Sequence, residues 1–224
     1  MTKIGPSIMC ADFFKLKEQI QELDSYGADY YHVDIMDGHF VPSFTLGTEF
    51  VEQLSKNTNT PLDVHLMSDN PYDNMDNFLD LGIDALTIHM EATTDISKCI
   101  KKIKDKGVRA GVALNPGTPI TSLMEILDEV DQVLIMTISP GLAAQPMIEK
   151  CLDKASQLVQ YLRNHHLNNV EVMVDGGIKK HNINKVSNYG IHAAVIGTGI
   201  FHAENPGETL NQIKNSILNS RVLR

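Results

Sequence analysis

The chain has 224 residues, 42% of them hydrophobic and 21% charged, an ordinary balance for a globular protein of one large domain. Nineteen basic against 28 acidic residues leave a formal charge of −9, which argues against nucleic-acid binding by bulk electrostatics. Cys10, Cys99 and Cys151 are scattered, without CxxC spacing, which argues against a disulfide framework or a thiolate zinc site. No signal peptide is visible, and no stretch approaches the ~18 apolar residues of a membrane span. The expectation is a cytoplasmic protein with neither a nucleic-acid nor a membrane partner.

In chain order, short apolar runs alternate with amphipathic ones. Strands are expected at 3–9, 30–36, 61–67, 83–89, 109–114, 132–138, 170–174 and 193–196. Helices are expected over 13–27, with Asp12 as N-cap, and over 47–56, 71–81, 96–106, 120–127, 148–166, 182–189 and 207–219. Gly27, Gly82, Gly107 and Gly190 are placed to end helices. Near-continuous Val/Ile/Leu strands are typical of parallel sheets covered on both faces. Eight strand–helix units without a linker predict a single (β/α)8 barrel spanning 1–224. The competing open doubly wound sheet lacks its GxGxxG after the first strand.

Chemistry-bearing residues concentrate where such a barrel carries its site, at the strand carboxyl ends. In YHVDIMDGHFVP, His32 and Asp34 alternate and so share one face of their strand. Alone, this pair reads as a hydrogen-bonded strand end. His65 and Asp175 at matching strand ends change that reading. Two imidazoles and two carboxylates suit a divalent transition metal: Zn2+ first, with Fe2+, Mn2+ or Co2+ as the other candidates. Asp63 is assigned a supporting role behind the ligands, and His89 is read as a hydrogen-bonded core histidine. Met36, Met67 and Met136 would together roof a water-poor pocket. The small-residue turns SPGLAAQ, DGG and GTG precede helices after strands six, seven and eight, where backbone N–H groups can hold a phosphate without lysine.

SIMCADF, HVDIMDGHFVP, LDVHLM, GVALNPGTP, PGLAAQ, VDGGI and GTGIF span nearly the whole chain, which closely resembles the ribulose-phosphate 3-epimerase family. The resemblance implies a metal-dependent isomerase that inverts C3 of a ketose phosphate. It places metal ligands at His32, Asp34, His65 and Asp175, and acid–base residues at Asp34 and Asp175. It implies substrate contacts at Ser7, His65, Gly141, Leu142, Ala143, Ala144, Gly176, Gly177, Gly197 and Thr198, with Met36, Met67 and Met136 shielding the intermediate. The implied conversion is D-ribulose 5-phosphate to D-xylulose 5-phosphate. SIMC, AQP and FHAEN look more like the branch acting on D-allulose 6-phosphate, the alternative substrate. A non-catalytic sugar-phosphate-binding barrel is the more distant reading. Ala143 and Ala144 depart from the family's glycines and restrict φ > 0 near the phosphate. Barrels of this size often pair through their helical shell, so a homo-oligomer is expected.

Overall fold

Strands apolar on both faces must be covered on both faces, and the chain satisfies this by wrapping them into a cylinder inside a helical coat. The computed structural model describes residues 1–222, so positions 223–224 of the expected domain lie outside the described residues. The strands are β1 (Lys3–Pro6), β2 (Tyr31–Met36), β3 (Leu62–Met67), β4 (Ala85–His89), β5 (Arg109–Leu114), β6 (Gln132–Met136), β7 (Glu171–Asp175) and β8 (Ala193–Ile196). All pair in parallel, in the order β1-β8-β7-β6-β5-β4-β3-β2. A parallel bridge from Ser7 to His32 brings the end of β1 alongside β2 and nearly closes the barrel.

The helices are α1 (Leu16–Ser25), α2 (Thr48–Asn57), α3 (Pro71–Asn74), α4 (Asp76–Leu79), α5 (Ile96–Asp105), α6 (Lys150–Asn164), α7 (Ile183–Asn188), α8 (Thr198–Phe201) and α9 (Pro206–Val222). Helix α5 shows how the coat is fixed by sequence. Ile96, Cys99, Ile100 and Ile103 recur at helical spacing and are all buried. The Asp95 side chain accepts the Lys98 N–H at its start, while Lys102 and Lys104 lie in its last turn. Outward-facing strand residues such as Val33, Val64 and Leu86 join this helix-facing core. A second cluster, including Tyr30, Leu134, Met173 and Val195, fills the barrel interior. Among the described residues, no helix is long and apolar enough to cross a membrane.

The structure corrects several expected elements. Strand β1 stops at Pro6, because Ile8–Cys10 turns as a 3-10 helix. Asp12 accepts the Phe14 N–H in the turn before α1; it is not the N-cap, which is Lys15. The helix expected over 71–81 is two single turns meeting at the buried Met75. The one expected over 120–127 reduces to a 3-10 turn at Ile120–Leu123, continued by the Ile126 N–H to Leu123 C=O bond of the same i→i+3 type. Strand β7 reaches Asp175, one residue farther than expected, so that carboxylate sits on the sheet rather than in the following loop. Helix α8 was not expected.

At the barrel's amino end, Glu171 on β7 accepts from Lys3 on β1 and from Arg109 Nη2 on β5 at 2.8 Å. Burial opposes its charge, but these two cations outweigh it and lower its pKa below the usual glutamate value. A depressed carboxylate contributes stability above its unfolded pKa and loses it as pH falls through the folded one. Glu171→Gln should therefore flatten the decline in Tm of metal-free protein below about pH 4.5. Parallel Tm–pH curves for variant and wild type would contradict this.

Candidate metal centre and active site

Register builds the site. Strands β2 and β3 align so that Asp34 stands opposite His65 and His32 opposite Asp63. Alternation turns all four side chains toward the barrel interior. His32 and His65 are fully buried, and Asp34 and Asp63 are buried. Asp175 ends β7 and is half-buried, on the solvent side of the group. One ligand atom from each of His32, Asp34, His65 and Asp175 lies within 4.8 Å of the others.

Three separations inside this group are informative. His32 Nε2 is 3.3 Å from Asp34 Oδ1 and 3.4 Å from His65 Nδ1, and His65 Nδ1 is 3.2 Å from Asp34 Oδ1. All are long for strong hydrogen bonds. They match the edge of about 3.3 Å of a tetrahedron whose donors stand about 2.0 Å from a central divalent ion. The chemistry of the donors and their spacing both fit a divalent metal.

Each imidazole is backed by a further group. His32 Nδ1 lies 2.8 Å from Asp63 Oδ2, which leaves Nε2 for the centre. Asp63 Oδ1 accepts from Gln132 Nε2 at 2.7 Å and Thr87 Oγ1 at 3.3 Å, so β2, β4 and β6 all hold this one carboxylate of β3. Gly111 makes room for this network, since a Cβ there would lie 2.2 Å from Thr87 Oγ1. His65 Nε2 is 2.9 Å from His89 Nε2, and His89 Nδ1 is 3.2 Å from Glu91 Oε2. Asp63 thus stands behind the candidate donors, and His89 is a hydrogen-bonded interior histidine.

The two central carboxylates are driven apart electrostatically. Burial opposes the charge of Asp34, but His32 and His65 outweigh it and hold the carboxyl far below the usual aspartate range. For Asp175, burial and the neighbouring Asp34 charge both act in one direction and push its pKa up. Burial lowers His65 to about 4, its largest cause.

Other sequence-derived candidates fall around the same cleft. Ser7 Oγ donates to Asp34 Oδ2 at 2.7 Å, which makes Ser7 a partner of the carboxylate as well as a cleft-lining residue. Met36, Met67 and Met136 are buried and line the cleft together with Met9. The 141–144 loop, Gly176-Gly177 and Gly197-Thr198 also line it. Asp37 faces away and fixes its own loop by accepting the His39, Phe40 and Asp69 N–H groups.

The loop after β6 meets the loop after β7 directly. Gly177 has φ +67, and a Cβ there would come within 2.4 Å of the Met147 nitrogen. Gln145 Nε2 donates to the Ser139 and Leu142 carbonyls at 2.7 Å, and Thr137 Oγ1 donates to the Asp175 and Gly176 carbonyls at 2.8 and 2.6 Å. Of the two alanines, only Ala144 adopts the left-handed region, at φ +62. Thr137, Gln145, Thr87, Gln132, Glu91 and the cleft-lining Cys10 escaped sequence reasoning. Cys10 and Gln145 lay unassigned within the motifs SIMCADF and PGLAAQ, and Glu91 carried a signal of its own, because His89-x-Glu91 repeats the alternation of His32-x-Asp34.

Fold and donor set together define a (β/α)8 barrel with a candidate metal centre in its mouth. Solved structures share that fold: KGPDC from Streptococcus mutans has TM-score 0.74 at 17% identity, covering 99% of both chains. The 3-hexulose-6-phosphate synthase from Salmonella typhimurium has TM-score 0.74 at 16% identity, covering 98% of this chain and all of that one. The profile of the Ribulose-phosphate 3 epimerase family matches residues 3–201. Identity is 36% over 216 residues to the ribulose-phosphate 3-epimerase of Bacillus subtilis (strain 168), covering 96% of this chain and 100% of that protein. It is 40% over 215 residues to the chloroplastic ribulose-5-phosphate-3-epimerase of Arabidopsis thaliana, covering 95% of this chain and 76% of that one. The chain belongs to the Ribulose-phosphate 3 epimerase family.

An alanine held at φ +62 is strained by its Cβ, and glycine relieves this at a cost of about 1–2 kcal/mol per residue avoided, less the unfolded-state entropy glycine adds. Ala144→Gly should therefore raise stability by up to about 1 kcal/mol in chemical denaturation. A clear loss of stability would show that the loop does not hold this backbone conformation.

Proposed function

We propose that this chain is a ribulose-phosphate 3-epimerase that interconverts D-ribulose 5-phosphate and D-xylulose 5-phosphate by moving a proton off and onto C3. Full-length similarity to relatives bearing that name supports the substrate. The observation that carries the reaction type is a pair of carboxylates, Asp34 and Asp175, in one donor cluster but with opposite tendencies to hold a proton.

His32, Asp34, His65 and Asp175 are proposed to hold a divalent ion, Zn2+ best suiting their mixed nitrogen and oxygen donors. Bound there, the ion would supply a Lewis acid that makes the C3 hydrogen beside the C2 ketone more acidic. Inversion needs one group to take a proton from one face of C3 and another to deliver a proton to the opposite face. Asp34, held ionised, is the base for one direction; Asp175, which retains a proton more readily, is the acid. After one turnover the roles are exchanged, so the same pair serves the reverse reaction. Atoms and oxidation state balance, since one C–H bond breaks and one forms. The buried methionines above the centre exclude water from the intermediate without offering it a proton. The glycine-rich turns after β7 and β8 face the same cleft and are assigned the phosphate.

Incubation in D2O with each ketose phosphate, read by NMR at C3, tests the reaction and its substrate together. Deuterium should enter C3 of the pentulose phosphate as epimer forms. Exchange with D-allulose 6-phosphate alone would move the assignment to the hexulose, and exchange with neither would refute the epimerase. Asp175→Asn should lower kcat by about 10²–10⁴ with Tm nearly unchanged; an unchanged kcat would remove Asp175 from the acid–base pair. Chelation should abolish turnover and Zn2+ restore it, whereas a fully active metal-free protein would refute the metal's role.

A further inference from the structure

Beyond the four donors, a second chain of polar groups leads away from the centre toward the loops after β4 and β5. His65 directs Nδ1 at the donor cluster, 3.2 Å from Asp34 Oδ1, and Nε2 at His89 Nε2, 2.9 Å away. Two imidazole nitrogens facing each other need one proton between them, one donating and the other accepting. The far nitrogen of His89 lies 3.2 Å from Glu91 Oε2. Glu91 Oε1 accepts the Asn115 N–H at 2.8 Å and the Thr118 hydroxyl. Lys154 Nζ donates to the Asn115, Pro116 and Thr118 carbonyls, which ties this loop to α6. The Phe40 ring packs on His89 with centroids 4.7 Å apart.

The polarity of this chain has only one consistent solution when His65 Nδ1 ligates an ion. Ligation uses the Nδ1 lone pair, so the His65 proton sits on Nε2 and donates to His89 Nε2. His89 then carries its own proton on Nδ1 and donates it to the Glu91 carboxylate, an acceptor only. We propose that Glu91 and His89 are positioning residues for the metal centre: a fixed carboxylate, acting through one neutral imidazole, sets the tautomer and ring orientation of His65. This rests on the metal-centre reading above. It parallels Asp63 behind His32, but reaches the ligand through an intermediate ring and from a loop rather than a strand. Besides His89, the Asn115 N–H and the Thr118 hydroxyl hold Glu91, so the chain is anchored at its outer end and His65 cannot rotate without breaking it.

Long-range 1H–15N spectra of histidine-labelled, zinc-loaded protein read the tautomers directly. The expected result is a proton on Nε2 of His65 and on Nδ1 of His89; a proton on Nε2 of His89 would overturn the proposal. Competition with a fluorescent chelator gives the second readout. His89→Ala and Glu91→Ala should each weaken zinc binding by about 10–100-fold. Glu91→Gln, which keeps an acceptor for the His89 N–H, should lose less. The metal-free Tm reports folding separately, and if His89→Ala does not fold the Glu91 pair decides. Wild-type protein that takes up no zinc would overturn the metal centre and this proposal with it. Zinc-binding wild type with unchanged affinity in both Glu91 variants would overturn the proposal alone.

Discussion

A carboxylate buried between two imidazoles is the interaction on which the rest of this barrel depends. Asp34 lies 3.2 to 3.3 Å from nitrogens of His32 and His65, with almost no access to water. Burying such groups is costly unless charge and hydrogen-bonding capacity are matched. The barrel meets that demand in layers. Ser7 donates to the free oxygen of Asp34, Asp63 holds His32, and His89 holds His65. Gln132 and Thr87 in turn hold Asp63. Six of the eight strands, β1, β2, β3, β4, β6 and β7, or the residues immediately following them, supply a group to this assembly.

The arrangement separates two jobs by strand. Strands β2 and β3 form a stiff wall, hydrogen-bonded along their whole length, and carry three of the four donors. The fourth, Asp175, stands across the mouth at the end of β7, where the glycine turn begins. The opposite ends of the strands do different work. There Lys3, Arg109 and Glu171 tie β1, β5 and β7 together, far from the chemistry, in keeping with stability at one face of the barrel and function at the other.

Much of this was legible in the sequence for a physical reason. Eight runs of β-branched and aliphatic residues, punctuated by helical stretches ending in glycine, leave little choice but a parallel barrel. His32 and Asp34 share a strand face by simple alternation, and His65 follows on the next strand. What could not be read was register. Gln132 and Thr87 look like ordinary strand residues until pairing sets them beside Asp63. Helices 71–81 and 120–127 failed because apolar periodicity does not distinguish a continuous helix from single turns that follow a curved wall. The position of Asp175 on β7 rather than past it is also a pairing effect: its strand partners are Met136 and Val195. Ala144 shows the reverse, a residue whose identity argues against its own backbone conformation.

X-ray absorption on zinc-loaded protein tests the central claim most directly, because it reports the ligands themselves. One ion per chain is expected in a shell of nitrogen and oxygen donors at about 2.0–2.1 Å, with the outer-shell signature of two imidazoles and no sulfur. A sulfur ligand, which Cys10 and the methionines lining the cleft could supply, or a shell without imidazole would contradict it.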